Sequence, residues 1–137
     1  MVTLPACYNG PMTPADIDAL ADRIFRAIET GDEATVAALW ADDVVVWHNF
    51  DQKEQTKVQN LATLHWLTTN CSELAYTDVR RDLLPDGFAQ QHVLRGKAPN
   101  GRPFTVPAML RVTVSEGLVA RIDEYLDSAQ TGRIGDA

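Results

Sequence analysis

Apolar positions change their spacing midway along the chain. Near the start, Ile17, Leu20, Ala21, Ile24 and Ile28 recur every three or four residues, so they share one face of a helix. Thr13-Pro14-Ala15-Asp16 supplies the start signal: a hydroxyl at the cap, a proline in the first turn and an acid three residues after the cap. Gly31 stands where such a helix ends. Asp32 is placed to cap a short second helix with Val36, Leu39 and Trp40 on its buried side. Val44-Val45-Val46-Trp47-His48-Asn49 is β-branched and aromatic and reads as a strand. Asp51 to Glu54 has the spacing of a capping box and predicts a third helix running to about Asn70.

The second half reads as strands. Leu74–Leu84, Phe88–Arg95, Pro103–Val114 and Leu118–Asp127 are separated by Pro85-Asp86-Gly87, Pro99-Asn100-Gly101 and Ser115-Glu116-Gly117, all strong turn signals. Such short connections imply an antiparallel meander. Pro107 predicts a bulge or an edge position in the third of these strands. Helices first and strands later give an α+β fold, with helices covering one face of the sheet. The 137 residues suit one domain, with residues 1–12 as a poorly ordered arm and 131–137 as a tail.

One residue breaks the apolar pattern of the last strand. Alternation puts Leu118, Ala120, Ile122, Glu124 and Leu126 on one face, and Val119, Arg121, Asp123, Tyr125 and Asp127 on the other. Glu124 is a carboxylate in the middle of the apolar face. Such a group either finds a partner or has its ionisation shifted, and both outcomes occur in catalytic pockets. A purely structural ion pair is the competing explanation.

Composition narrows the function. Hydrophobic residues make up 45% and charged residues 23%, with a net charge of −7. The few basic residues form no cluster, which argues against nucleic acid and anionic membrane as partners. No apolar run approaches the roughly 20 residues that cross a bilayer, and the first residues lack a secretory pattern. Cys7 and Cys71 have no metal-ligand spacing and read as free thiols of a cytoplasmic protein. His48, His65 and His92 fall on separate elements, so neither a metal nor a nucleotide cofactor is expected.

Three motifs occur in order around these turns: Glu29-Thr30-Gly31-Asp32, then Leu39-Trp40-Ala41-Asp42-Asp43-Val44-Val45-Val46-Trp47-His48-Asn49, and finally Arg121-Ile122-Asp123-Glu124-Tyr125-Leu126-Asp127. With them the chain resembles the NTF2-like superfamily, and within it the SnoaL-like group, over about residues 14 to 130. The resemblance implies a cone: a strongly curved antiparallel sheet around a pocket, with the N-terminal helices packed on its concave face. Members include ketosteroid isomerases, polyketide cyclases, epoxide hydrolases and non-catalytic binding or dimerisation modules, so fold alone does not set the chemistry.

The resemblance also selects pocket residues that hydrophobicity leaves open. Gln90 and His92 fall where SnoaL-type cyclases and limonene epoxide hydrolases place inward polar groups. Trp47 and Asn49 fall where the hydrolases have an aromatic residue and an asparagine. The implied site has Glu124 and His92 sharing proton transfer and Asn49 and Gln90 donating to a developing oxyanion. Trp47 and Phe88 would be its walls. The ketosteroid isomerase tyrosine and aspartate correspond to Ile24 and Asn49, so that activity is not expected. Gln-x-His followed by an acid on the last strand matches the cyclases, which work without metal or cofactor. The expected function is therefore a cofactor-free acid–base enzyme acting on a small, mostly apolar carbonyl or ring compound. The alternative is a non-catalytic ligand-binding or dimerisation module. His48 is expected to face outward, and His65 to be a packing or surface residue of its helix, with a place at the pocket mouth as the lesser alternative. Outward Val44, Val46, Val93 and Val119 would give a homodimer through the sheet faces.

Overall fold

Thr13 opens the first helix as its sequence requires. Its hydroxyl accepts from the Asp16 amide at 3.1 Å, and the Asp16 carboxylate accepts from the Thr13 amide at 3.0 Å. The helix, α1 (Pro14–Thr30), ends at Gly31 with φ 72°, the left-handed cap that glycine adopts without penalty. Asp32 caps α2 (Glu33–Leu39). The computed structural model describes residues 12–135. Residues 1–11, which include Cys7 and nearly all of the expected arm, lie outside the described residues.

The third helix begins later than expected. It is α3 (Lys57–Asn70), capped by Thr56 and Gln59 in a reciprocal box. Asp51 instead accepts from the Lys53 amide in a turn, and Glu54–Gln55 form a short strand, β2. Two capping patterns follow one another in this stretch, and the one that directly adjoins the apolar helical run prevails.

The long strands are β1 (Trp40–His48), β3 (Ser72–Leu84), β4 (Gly87–Lys97), β5 (Pro103–Ser115) and β6 (Leu118–Leu126). They form one curved, unclosed sheet in the order β2-β1-β6-β5-β4-β3, with helices on one side. β3 to β6 make the expected antiparallel meander, while β1 joins β6 in parallel. Pairing with β6 begins at Ala108, so Pro107 lies just past the end of one neighbour. β6 carries a bulge: Thr113 faces Arg121 and Val114 faces Val119, leaving Ala120 as the extra residue. Residues 131–135 are not a tail but the end of a fourth helix, α4 (Ser128–Gly135), whose Ile134 is buried.

The apolar stripe of α1 packs with Val36 and Leu39 of α2 against Trp40, Val44, Val46, Phe88, Leu110, Val112 and Val119 of the sheet. Val44, Val46 and Val119 are thus core residues, at most 2% exposed, and not part of an outer apolar face. A second, smaller cluster joins Cys71, Ala98, Val106 and Ile134. No described helix is long and apolar enough to cross a membrane.

Candidate active site

Strand register assembles the site. His48 on β1 stands opposite Glu124 on β6, Glu124 opposite Leu110 on β5, Leu110 opposite Gln90 on β4, and Gln90 opposite Arg81 on β3. Paired residues of neighbouring strands point to the same face. One rung across the concave side therefore carries four polar residues and one leucine. β5 separates β4 from β6, so Glu124 and His92 lie on strands roughly 10 Å apart and approach only across the cavity.

The same register corrects the expected face of β1. Val46 is opposite Ile122 and His48 opposite Glu124, so His48 is the inward residue. Trp47 lies on the outer face, its ring 5.3 Å from that of Tyr125 in an edge-on contact. The Asn49 side chain accepts from the Leu126 amide at 2.9 Å and fastens the strand end instead of facing a ligand. Val44 to Trp47 is apolar on both faces, so alternation alone carries no sign of which face is inside.

Glu124 has found a partner. Its Oε1 lies 3.1 Å from His48 Nε2, and the two side chains are only 22% and 14% exposed. Arg111 of β5 stands opposite Asp123, not Glu124, and donates to Thr113 and Asp86. Glu124 and His48 sit at the waist of a two-chambered cavity. The inner chamber, about 90 Å³, is walled by core residues including Ile24, Ile28, Phe88 and Val119. The outer one, about 360 Å³, is walled by Trp66, Leu67, Leu94, Val106, Leu126 and Ile134 among others. His48, Asn60, Leu64, Tyr76 and Glu124 line both. Trp40 also lines the inner chamber, and its buried indole N–H has no acceptor among the described residues.

Tyr76 is the second residue that periodicity undervalued, because it reads as a core aromatic. Its ring packs edge-on against Phe25 at 4.9 Å and His92 at 4.7 Å. Burial first, then the negative charges of Glu124 and Glu29, push its pKa well up, so the phenol keeps its proton. His92 lines the outer chamber and is 4% exposed. Burial lowers its pKa, Glu124 partly opposes this, and Arg81 reinforces it. Its Nδ1 lies 2.8 Å from Gln90 Nε2. Gln90 is buried, and both ends of its amide are engaged, since Oε1 accepts from Arg81 Nε at 2.8 Å. It is therefore not the ligand donor the sequence suggested. Phe88 lines the inner chamber, with the Arg81 guanidinium 5.6 Å from its ring centre. His65 is an exposed partner of Glu33, and Trp66 takes the place at the mouth. Among the described residues no three His, Cys, Asp or Glu side chains converge on a metal site.

A six-stranded, curved and unclosed sheet with helices on one side is the architecture of the cone-shaped α+β proteins. The profile of the SnoaL-like domain matches residues 21–122, and the chain belongs to that family. Three solved structures show the same fold. PrhC from Penicillium brasilianum NBRC 6234 superposes with a TM-score of 0.78 at 14% identity, over 91% of this chain and 89% of that one. A provisionally assigned polyketide cyclase from Pseudomonas putida KT2440 gives 0.72 at 21%, over 88% and 96%. An NTF2-like protein from Burkholderia xenovorans LB400 gives 0.67 at 20%, over 91% and 98%. Among curated proteins, none matches this sequence.

Proposed function

We propose that the chain is a cofactor-free acid–base enzyme that abstracts a proton next to a carbonyl of a small, largely apolar ring compound. The observation that carries this reading is the position of Glu124. One carboxylate oxygen rests on His48, while Oε2 has no partner among the described residues, and the side chain lines both chambers. An oriented, shielded carboxylate of this kind is what a general base requires. A substrate carbonyl placed at the waist would put its acidic C–H near Glu124 and its oxygen near the Tyr76 hydroxyl. That hydroxyl stabilises the charge developing on oxygen as the proton leaves. Return of the proton to a different carbon gives an isomer; attack of the enolate carbon on a second carbonyl breaks that C=O π bond and closes a ring, and the resulting alkoxide takes back the proton held by Glu124. The polyketide cyclase description of the Pseudomonas putida relative supports the second course.

The ligand follows from the walls. An apolar cavity with few polar groups suits a neutral molecule with one or two oxygens. The chain's net charge of −7 disfavours polyanions such as nucleotides. The buried thiol of Cys71 suits a reducing cytoplasm. The chain is also proposed to pair with a second copy through the outer sheet face, where Trp47, Met109 and Tyr125 replace the valines that turned inward.

The test is exchange of α-hydrogens in heavy water, followed by NMR across neutral polycyclic and polyketide-like ketones. Wild type should exchange at least one ketone. Glu124→Gln, which keeps an oxygen for His48, should fold normally and lose about 10²- to 10⁴-fold in rate. Binding without exchange would replace the enzyme reading by a ligand-binding module.

A further inference from the structure

We infer that Arg81 is a positioning residue that fixes His92 as a neutral hydrogen-bond donor, its proton on Nε2, so that His92 polarises a ligand oxygen while Glu124 alone takes the proton. The inference rests on the acid–base reading of the cavity but stands on separate geometry. A guanidinium can only donate. Arg81 Nε donates to Gln90 Oε1 at 2.8 Å, which turns the Gln90 amide nitrogen toward His92. That nitrogen also only donates, so the imidazole Nδ1 at 2.8 Å must accept. The ring's proton is then on Nε2. No described residue bonds Nε2, and the ring lines the outer chamber.

The relay is held at its far end. Arg81 Nη1 lies 2.7 Å from an oxygen of Asp18 and 2.8 Å from one of Asp22, both on α1. Phe88 supports the guanidinium from below. With Gln90 and His92 almost fully buried, a reversed amide would set its NH2 group against the donating Nε of Arg81 and leave that guanidinium hydrogen without its acceptor. Other groups around the ring do not compete for Nδ1. Phe25 of α1 and Tyr76 of β3 meet it through their rings, and Ala108 stands opposite it on β5. The charged groups that act on it are Arg81 and, from β6, Glu124. His92 thereby loses the base role that the sequence had shared between it and Glu124, and the two titratable groups take separate tasks.

Nitrogen-15 spectra of the histidine rings test this without a substrate, the signals being assigned with His48→Gln, His65→Gln and His92→Gln. In wild type, His92 should show a pyridine-type Nδ1 and a pyrrole-type Nε2, and should stay neutral as the pH falls through about 6.5. Arg81→Met frees the Gln90 amide to turn and should raise the Nδ1–H tautomer by about tenfold; Arg81→Lys, which can still donate to Gln90, should restore much of the original ratio. Gln90→Glu keeps Arg81 paired but puts an acceptor against Nδ1, so the proton should move to Nδ1 even if Arg81→Met does not fold. Protonation of wild-type His92 at Nδ1, or an unchanged tautomer in Arg81→Met and Gln90→Glu, overturns the inference. Ketone exchange on the same samples separates the two ideas. The inferred tautomer without exchange removes the enzyme reading and leaves the relay, whereas exchange with a mixed tautomer removes the relay alone.

Discussion

His92 shows how burial turns one side chain into a pH limit for the whole fold. Its native pKa lies below the ordinary 6.5, chiefly because burial disfavours the charged ring. As pH falls through about 6.5, the unfolded chain takes up a proton here and the native chain does not. The stability tied to this ring is therefore complete above the unfolded value. It is lost progressively toward acid until the native ring also titrates. Denaturant midpoints measured between about pH 7.5 and pH 5.5 should fall less steeply for His92→Gln than for wild type. Equal slopes would mean that His92 is not shielded from water. Glu124 was legible at this scale because a charge among apolar residues of fixed parity needs no alignment to be noticed. The Arg81 relay was not, because Arg81 and Gln90 are nine residues apart in sequence and meet only through a strand register.

At the scale of elements, turns and periodicity reported most of the architecture. Caps, turn residues and the change of apolar spacing are local properties, and they gave α1, α2 and the β3–β6 meander. What they could not give was the parallel pairing of β1 with β6, which joins residues more than seventy positions apart. That pairing decides which face of β1 is inside, and the choice exchanged Trp47 and Asn49 for His48. It also changes the expected optical signal. Trp47 is on the outer face, whereas Trp66 on α3 lines the outer chamber. A ring ketone that quenches tryptophan emission should lose most of that response in Trp66→Phe and keep it in Trp47→Phe. The reverse pattern would place β1 in the opposite orientation.

For the whole molecule, the outer sheet face matters because it exposes large apolar side chains among the described residues. Met109 is 47% exposed and Tyr125 54% exposed, and Trp47 packs beside Tyr125. Burying such a patch against its own copy is favourable by roughly 25 cal/mol per Å² of apolar area removed from water. Light scattering at micromolar concentration should give twice the 15.1 kDa of one chain. Tyr125→Glu, which sets a charge in the patch without touching the cavity, should return the protein to 15.1 kDa. A wild-type chain that scatters as a monomer would remove the dimer.

The bulge at Ala120 has a consequence for how such a site is gained or lost. Val119 seals the core and Glu124 faces the cavity, yet five positions separate them, an odd number. A straight strand cannot send both to one side, because its faces alternate. The surplus residue makes the count even. Removing Ala120 would leave either a core without its valine plug or a chamber without its acid, although no functional side chain had been replaced. In this fold the presence of the carboxylate is thus a matter of arithmetic along one strand, and a single codon's insertion or deletion can switch it on or off.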